Sequence, residues 1–244
     1  MRDDTAPRRG GILRIDPDSA PLAPLDLDPE AFQSPLPVQN YRLIFEDASI
    51  GMAVGIWDTT TMQEAFGPYP GDEFITVLDG SFAILDAEGK AVAGRTGQSA
   101  TFRNGIPVSW KQDGYLRKIY LTLMDPEGET PEIDSAEGGV TLLREKPVLS
   151  SRRQIAGETG QLLYLNDEGT MSVELRAYGE TLQPALRTTV HELCRVLSGE
   201  MVLTDAQGLE HRFVTGDHVF LPRGTLVARA MREGTSAYHV FVKA

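Results

Sequence analysis

One cysteine, Cys194, stands in the whole chain of 244 residues, so an intrachain disulfide, a paired-thiol redox centre and a thiolate zinc cluster are all excluded. Histidine is nearly as scarce: His191, His211, His218 and His239 are the only four, and all lie in the C-terminal half. No apolar run approaches the roughly 18 residues that a membrane span needs. The N-terminus is basic but lacks the apolar stretch of about 7 to 15 residues of a secretory signal, and a cytoplasmic location without membrane contact is expected. Basic residues are outnumbered 23 to 35, giving a formal charge of −12 with no local basic patch, which argues against nucleic acid as a partner.

What is present is a duplication. Tyr41 to Trp110 recurs as Gly160 to Arg229 without insertion or deletion, at an offset of 119 residues. The offset carries Met52 onto Met171, Glu73 onto Glu192, Gly80 onto Gly199, Asp86 onto Asp205, Gly97 onto Gly216 and Gly105 onto Gly224. A period this long indicates two fused domains, since solenoid repeats run about 20 to 50 residues. Each unit of about 110 residues is large enough to bury its own core.

Within each unit, short β-rich apolar runs alternate with turn residues every 8 to 12 positions, the pattern of an all-β sandwich or barrel. Phe82–Leu85 and Met201–Thr204 both run into Asp-Ala-x-Gly, whose glycine can take positive φ in a hairpin. Such a meander closes economically as a small barrel or jelly roll, which removes most unpaired edges. Residues 1–40, rich in proline and acid, read as an N-terminal arm. The acidic Pro/Gly segment 125–138 reads as a linker, leaving 41–124 as the first barrel and 139–244 as the second. Gly11–Ile15 resembles Gly139–Leu143, so each unit is expected to begin with a leading strand.

Glu73-x6-Gly80 with Gly97-x5-Arg103-x-Gly105, and the copies Glu192-x6-Gly199 with Gly216-x5-Pro222-x-Gly224, resemble the two motifs of the cupin superfamily. The resemblance covers nearly 200 residues and implies two tandem jelly-roll barrels. Gly55-Ile56-Trp57, Gly71–Phe74, Val77–Gly80, Trp110 and Arg117-Lys118 are further similar to the ureidoglycine-aminohydrolase-like branch. In metal-binding cupins a His-x-His pair precedes the motif glutamate and a third histidine follows the second motif. Here the stretch before Glu73 is Ala65-Phe66-Gly67-Pro68-Tyr69-Pro70, that before Glu192 is Ala185-Leu186-Arg187-Thr188, and Val108 and Val227 occupy the third position. A borderline cation requires three or four N, O or S donors. No metal or other cofactor is therefore expected at the usual position. An atypical divalent site from Glu192, His239 and Cys194 is the alternative, since strand alternation turns Cys194 the same way as Glu192 and His191 the other way.

A glutamate inside an apolar barrel needs a partner, because desolvation disfavours the carboxylate and a nearby cation restores it. In the first unit the candidates are Arg103 and Lys118, with Trp57, Tyr69 and Trp110 as pocket walls. In the second, Arg187 and Arg229 are available to Glu192. The plainer alternatives are that Glu73 bonds to backbone at the barrel mouth and that Trp110 fills the core. The expected function is binding of a small polar or anionic metabolite in the first barrel. Its alternative is an enzyme, aminohydrolase- or isomerase-like, with Glu73 and Tyr69 as the working pair. A homodimer is left open.

Overall fold

The structure is a computed structural model, and it describes residues 11–128, 130–134, 139–144, 153–155 and 158–244. The described residues form two compact all-β units of two sheets each. Their only helices are two 3-10 turns, Pro29–Ala31 and Ala48–Ile50, and none is long and apolar enough to cross a membrane.

In one unit, residues 17–143, the larger sheet runs Val140–Leu142, Ser99–Phe102, Asp72–Asp79, Leu116–Leu123, Met52–Thr59, Gln39–Asp47, Ala23–Pro24. A smaller sheet, including Pro107–Gln112, Ser81–Leu85 and Ala91–Arg95, supplies the other layer. Ile75, Val77, Phe82, Ile84, Phe102 and Trp110 fill this unit's interior as one cluster. The other unit, residues 1–16 with 144–244, repeats the plan. Its larger sheet runs Leu13–Ile15, His218–Leu221, His191–Ser198, Ser236–Val242, Met171–Tyr178, Glu158–Leu165, Arg153–Ile155, and its core gathers Cys194, Val196, Met201, Leu203, Phe213 and Leu221. These are the tandem jelly-roll barrels that the repeat implies.

The turns recur with the offset. The Asp86 carboxylate accepts from the amides of Glu88 and Lys90 at 3.1 and 2.7 Å, and Asp205 from those of Gln207 and Leu209, both at 2.9 Å. Gly80 and Gly199 sit at φ 82° and 76°, where a Cβ would lie 2.1 Å from the Tyr115 carbonyl oxygen and 2.6 Å from Thr235 Oγ1. Only glycine fits both demands.

The leading strands require a correction. Leu13–Ile15 pairs with His218–Leu221 of the second unit, and Val140–Leu142 pairs with Ser99–Phe102 of the first, so neither opens the unit that follows it. The bounds 41–124 and 139–244 shift accordingly, and residues 17–40 of the arm join the first unit. Each leading strand covers the same exposed sheet edge. Three-residue strands carry no local signal for which of two similar edges they join. Ile15 is buried at its new place, and Arg14 bonds Asp217 at 2.8 Å and lies over the Phe213 ring.

Candidate functional site

In the first barrel Glu73 and Lys118 meet from neighbouring strands, Asp72–Asp79 and Leu116–Leu123. Lys118 Nζ lies 2.9 and 3.1 Å from the two carboxylate oxygens, and both side chains are buried. The Tyr69 hydroxyl donates to Glu73 Oε2. Burial, reinforced by the Glu73 charge, raises the Tyr69 phenol well above its ordinary value, so it stays a donor. The ammonium stands between two indoles, 5.0 Å from the Trp57 ring and 4.7 Å from that of Trp110, a cation–π arrangement with little water. Trp110 is a core residue, stacked on Phe82 and Phe102 with its Nε1–H given to Gln112 at 3.0 Å. Tyr69 stacks on Phe102 at 4.7 Å.

Arg103 is not a partner of Glu73: it lies half-buried in the turn after Ser99–Phe102, its amide bonded to the Gly139 carbonyl at 2.8 Å. One group that sequence reading missed is Glu64. Burial raises its carboxyl to about 7, with Lys118 opposing and Glu73 adding to the rise. Nothing local marks it, because its amide and carbonyl bond to Trp110 and Ser109, far along the chain. Hollows of about 580 and 220 Å³ on this unit are lined around Ser81–Leu85 and Ile106–Val108, and neither reaches Glu73.

The second barrel holds Glu192 differently. Arg229 grips it with both terminal nitrogens, Nη1 to Oε1 at 2.8 Å and Nη2 to Oε2. His239 Nδ1 lies 2.7 Å from Oε1, and the Cys194 thiol 3.2 Å from the same oxygen and 3.2 Å from Nδ1. His239 Nε2 is 2.7 Å from the Tyr178 hydroxyl. Burial acts to raise the Glu192 carboxyl, but Arg229 and His239 outweigh it and hold the group well below the usual carboxylate range. Burial, with Glu192 beside it, drives the Cys194 thiol well up, so the sulfur is protonated and inert as a free nucleophile.

A hollow of about 210 Å³ opens onto Glu192, walled by Arg176, Arg187, Arg229, Leu186 and Phe241. Arg229 and Arg176 are committed, the latter to Glu174 at 2.8 Å and to the Phe241 ring. Arg187 is exposed and bonds to the Gly224 carbonyl at 2.8 Å, so its charge meets no carboxylate among the described residues. The remaining histidines lie elsewhere. His191 stacks on Phe220 and accepts from the Arg223 amide, His211 pairs with Asp205, and His218 is buried opposite Arg195. Tyr178 and Arg176 were not foreseen, although the offset places them opposite Thr59 and Trp57.

Fold and site define a bicupin. The profile of the EutQ-like cupin domain matches residues 48–120 and 183–243, more than half of the chain, and the chain belongs to that family. No curated protein matches it. Among solved structures it is similar to a DUF861-family protein of unknown function from Pseudomonas syringae pv. tomato, at 20% identity, 96% coverage of this chain, 100% of that one and TM-score 0.72. A putative dioxygenase from Nostoc punctiforme follows, at 13%, 97%, 83% and 0.65, and protein Ylba from E. coli, also DUF861, at 15%, 99%, 94% and 0.57. At these identities the likeness shows the fold alone.

The residues present do not fit a metal at the cupin position in either barrel. Val108 and Val227 offer no lone pair, and Glu73 is already neutralised by Lys118.

Proposed function

We propose that this bicupin binds a small carboxylate-bearing metabolite, and that the second barrel, rather than the first, receives it. The observation that carries this reading is Arg187, a cation without a carboxylate partner among the described residues, in the wall of the hollow that leads to Glu192. A ligand carboxylate there would gain a charge-assisted pair, and Leu186 and Phe241 offer apolar contact to its carbon skeleton. The first barrel is a weaker host because its glutamate is closed in by its own lysine and aromatic rings.

Calorimetric titration with a panel of small mono- and dicarboxylates tests the assignment. Arg187→Ala should weaken binding about ten- to a hundredfold, the worth of one hydrogen bond to a charged group, while Arg103→Ala leaves it unchanged. The reverse pattern would return the site to the first barrel.

A second reading is metal-free acid–base catalysis in the first barrel, as the sequence likeness to the aminohydrolase branch suggests. It is supported by Glu64, a carboxyl that burial raises to about 7 in the field of Lys118 and Glu73, the range in which a carboxyl can serve as a general acid or base near neutral pH. Turnover of a small amide or ureido compound that is lost in Glu64→Gln and kept in Arg187→Ala would favour it.

A further inference from the structure

We infer that Glu192, Cys194 and His239 form a buried site for a thiophilic divalent cation, with zinc the ion that suits them, built from residues outside the cupin metal motifs apart from the glutamate. Glu192 and Cys194 lie two apart on His191–Ser198 and so share a face, and His239 is the Cα partner of Cys194 on Ser236–Val242. Sheet pairing therefore brings one oxygen, one sulfur and one nitrogen to a single point. Glu192 Oε1, Cys194 Sγ and His239 Nδ1 are separated by 2.7, 3.2 and 3.2 Å, and all three residues are buried.

Zinc bonds of about 2.0 to 2.3 Å place tetrahedral ligand atoms about 3.3 to 3.8 Å apart, so the triangle need open by only about half an ångström to admit the ion. Mixed thiolate, imidazole and carboxylate donors suit zinc and its spectroscopic substitute cobalt better than magnesium or calcium, which take oxygen.

The groups behind the donors point the same way. His239 has its second ring nitrogen on the Tyr178 hydroxyl, which can hold the Nε2–H tautomer that frees Nδ1 for a metal. Arg229 holds both oxygens of Glu192 and so fixes the carboxylate, whose Oε1 faces the cysteine and histidine while also accepting from Arg229 Nη1 at 2.8 Å. On binding, the thiol proton leaves to solvent and the imidazole keeps its one proton, now on Nε2. Thiolate and carboxylate bring two negative charges to the ion, and with Arg229 also on the carboxylate the cluster carries one positive charge in all. The first barrel has Glu73, Ile75 and Tyr120 at the corresponding positions and lacks the donor set, which makes it an internal control.

The test uses the full chain, purified without chelator or histidine tag and titrated with cobalt and then zinc. The expected result is one ion per chain by elemental analysis, with a near-ultraviolet thiolate-to-cobalt charge-transfer band that zinc abolishes. Cys194 is the only thiol, so such a band in the wild-type chain assigns the ligand even if a variant fails to fold. Cys194→Ser should remove the band and His239→Gln should weaken zinc retention, both with Arg187 and its carboxylate binding left in place. Absence of any retained ion overturns the inference. So does cobalt bound without the band, or wild-type zinc affinity in Cys194→Ser; none of these outcomes touches the carboxylate assignment.

Discussion

The two barrels share a buried glutamate at one position and neutralise it from different places. In the first, Lys118 carries the charge between Trp57 and Trp110. At the equivalent positions the second has Ala237, Arg176 and Arg229. Register confirms the equivalence, since Lys118 pairs with Trp57 as Ala237 pairs with Arg176. Three positions have changed together: cation to alanine on one strand, indole to guanidinium on two others. A buried carboxylate demands a positive partner, but any strand lining the same space can supply it. The exchange has a chemical consequence. The lysine solution leaves the first interior packed with aromatic rings, whereas the arginine solution accompanies a hollow and a polar cluster in the second.

The largest test of this comparison is Lys118→Ala, which leaves Glu73 buried without a cation and should destabilise the first unit by about 3 to 5 kcal/mol. Adding Trp110→Arg, the second barrel's arrangement, should recover part of the loss. Both tryptophans lie in the first unit, so their fluorescence in a urea titration follows that unit alone. A loss below about 1 kcal/mol, within the range of an exposed pair, would mean that Glu73 does not depend on the lysine.

Arg229→Met should be milder, about 1.5 to 3 kcal/mol, because Cys194 and His239 still bond to Glu192 Oε1. The loss should show in circular dichroism and in the histidine resonances, all four of which report on the second unit, while the tryptophan transition stays in place. If both transitions move together, the units do not respond independently and the comparison fails.

The units differ also in acid dependence, where they should slope in opposite directions. Glu64 is raised by burial from 4.5 to about 7, so the folded state holds its proton more tightly than the unfolded. Its contribution is full below about 4.5 and is lost as the pH rises to 7. His218 is lowered, mainly by burial, from 6.5 to about 3, so its contribution is full above 6.5 and is lost as the pH falls toward 3. Glu64→Gln should flatten the pH dependence of the tryptophan transition, and His218→Gln that of the second unit. Equal slopes before and after either change would remove the assigned group from account.

Fold and site were unequally legible. The gapless repeat, the Asp-Ala-x-Gly hairpins and the motif glycines are local or periodic, and each appears in the structure at its expected place. Alternation likewise turned Cys194 the same way as Glu192, because a strand has only two faces. Among the cations, the sequence offered Arg103 beside Lys118 and Arg187 beside Arg229 without a means to choose. Arg103 sits in a turn bonded to Gly139, and Arg187 on a strand end bonded to Gly224, so neither reaches its glutamate by a hydrogen bond. Glu64 escaped notice because its acidity arises from burial against residues remote in sequence.

By itself, then, the sequence determined two all-β barrels, their turns, and a glutamate facing into each, since backbone conformation and side-chain alternation are set by neighbouring residues. Tertiary structure alone decided which barrel each leading strand completes, which cation meets each glutamate, and that Cys194 lies against His239. These depend on strands that are distant along the chain and adjacent in a sheet, where pairing partner and register are settled by packing of the whole unit.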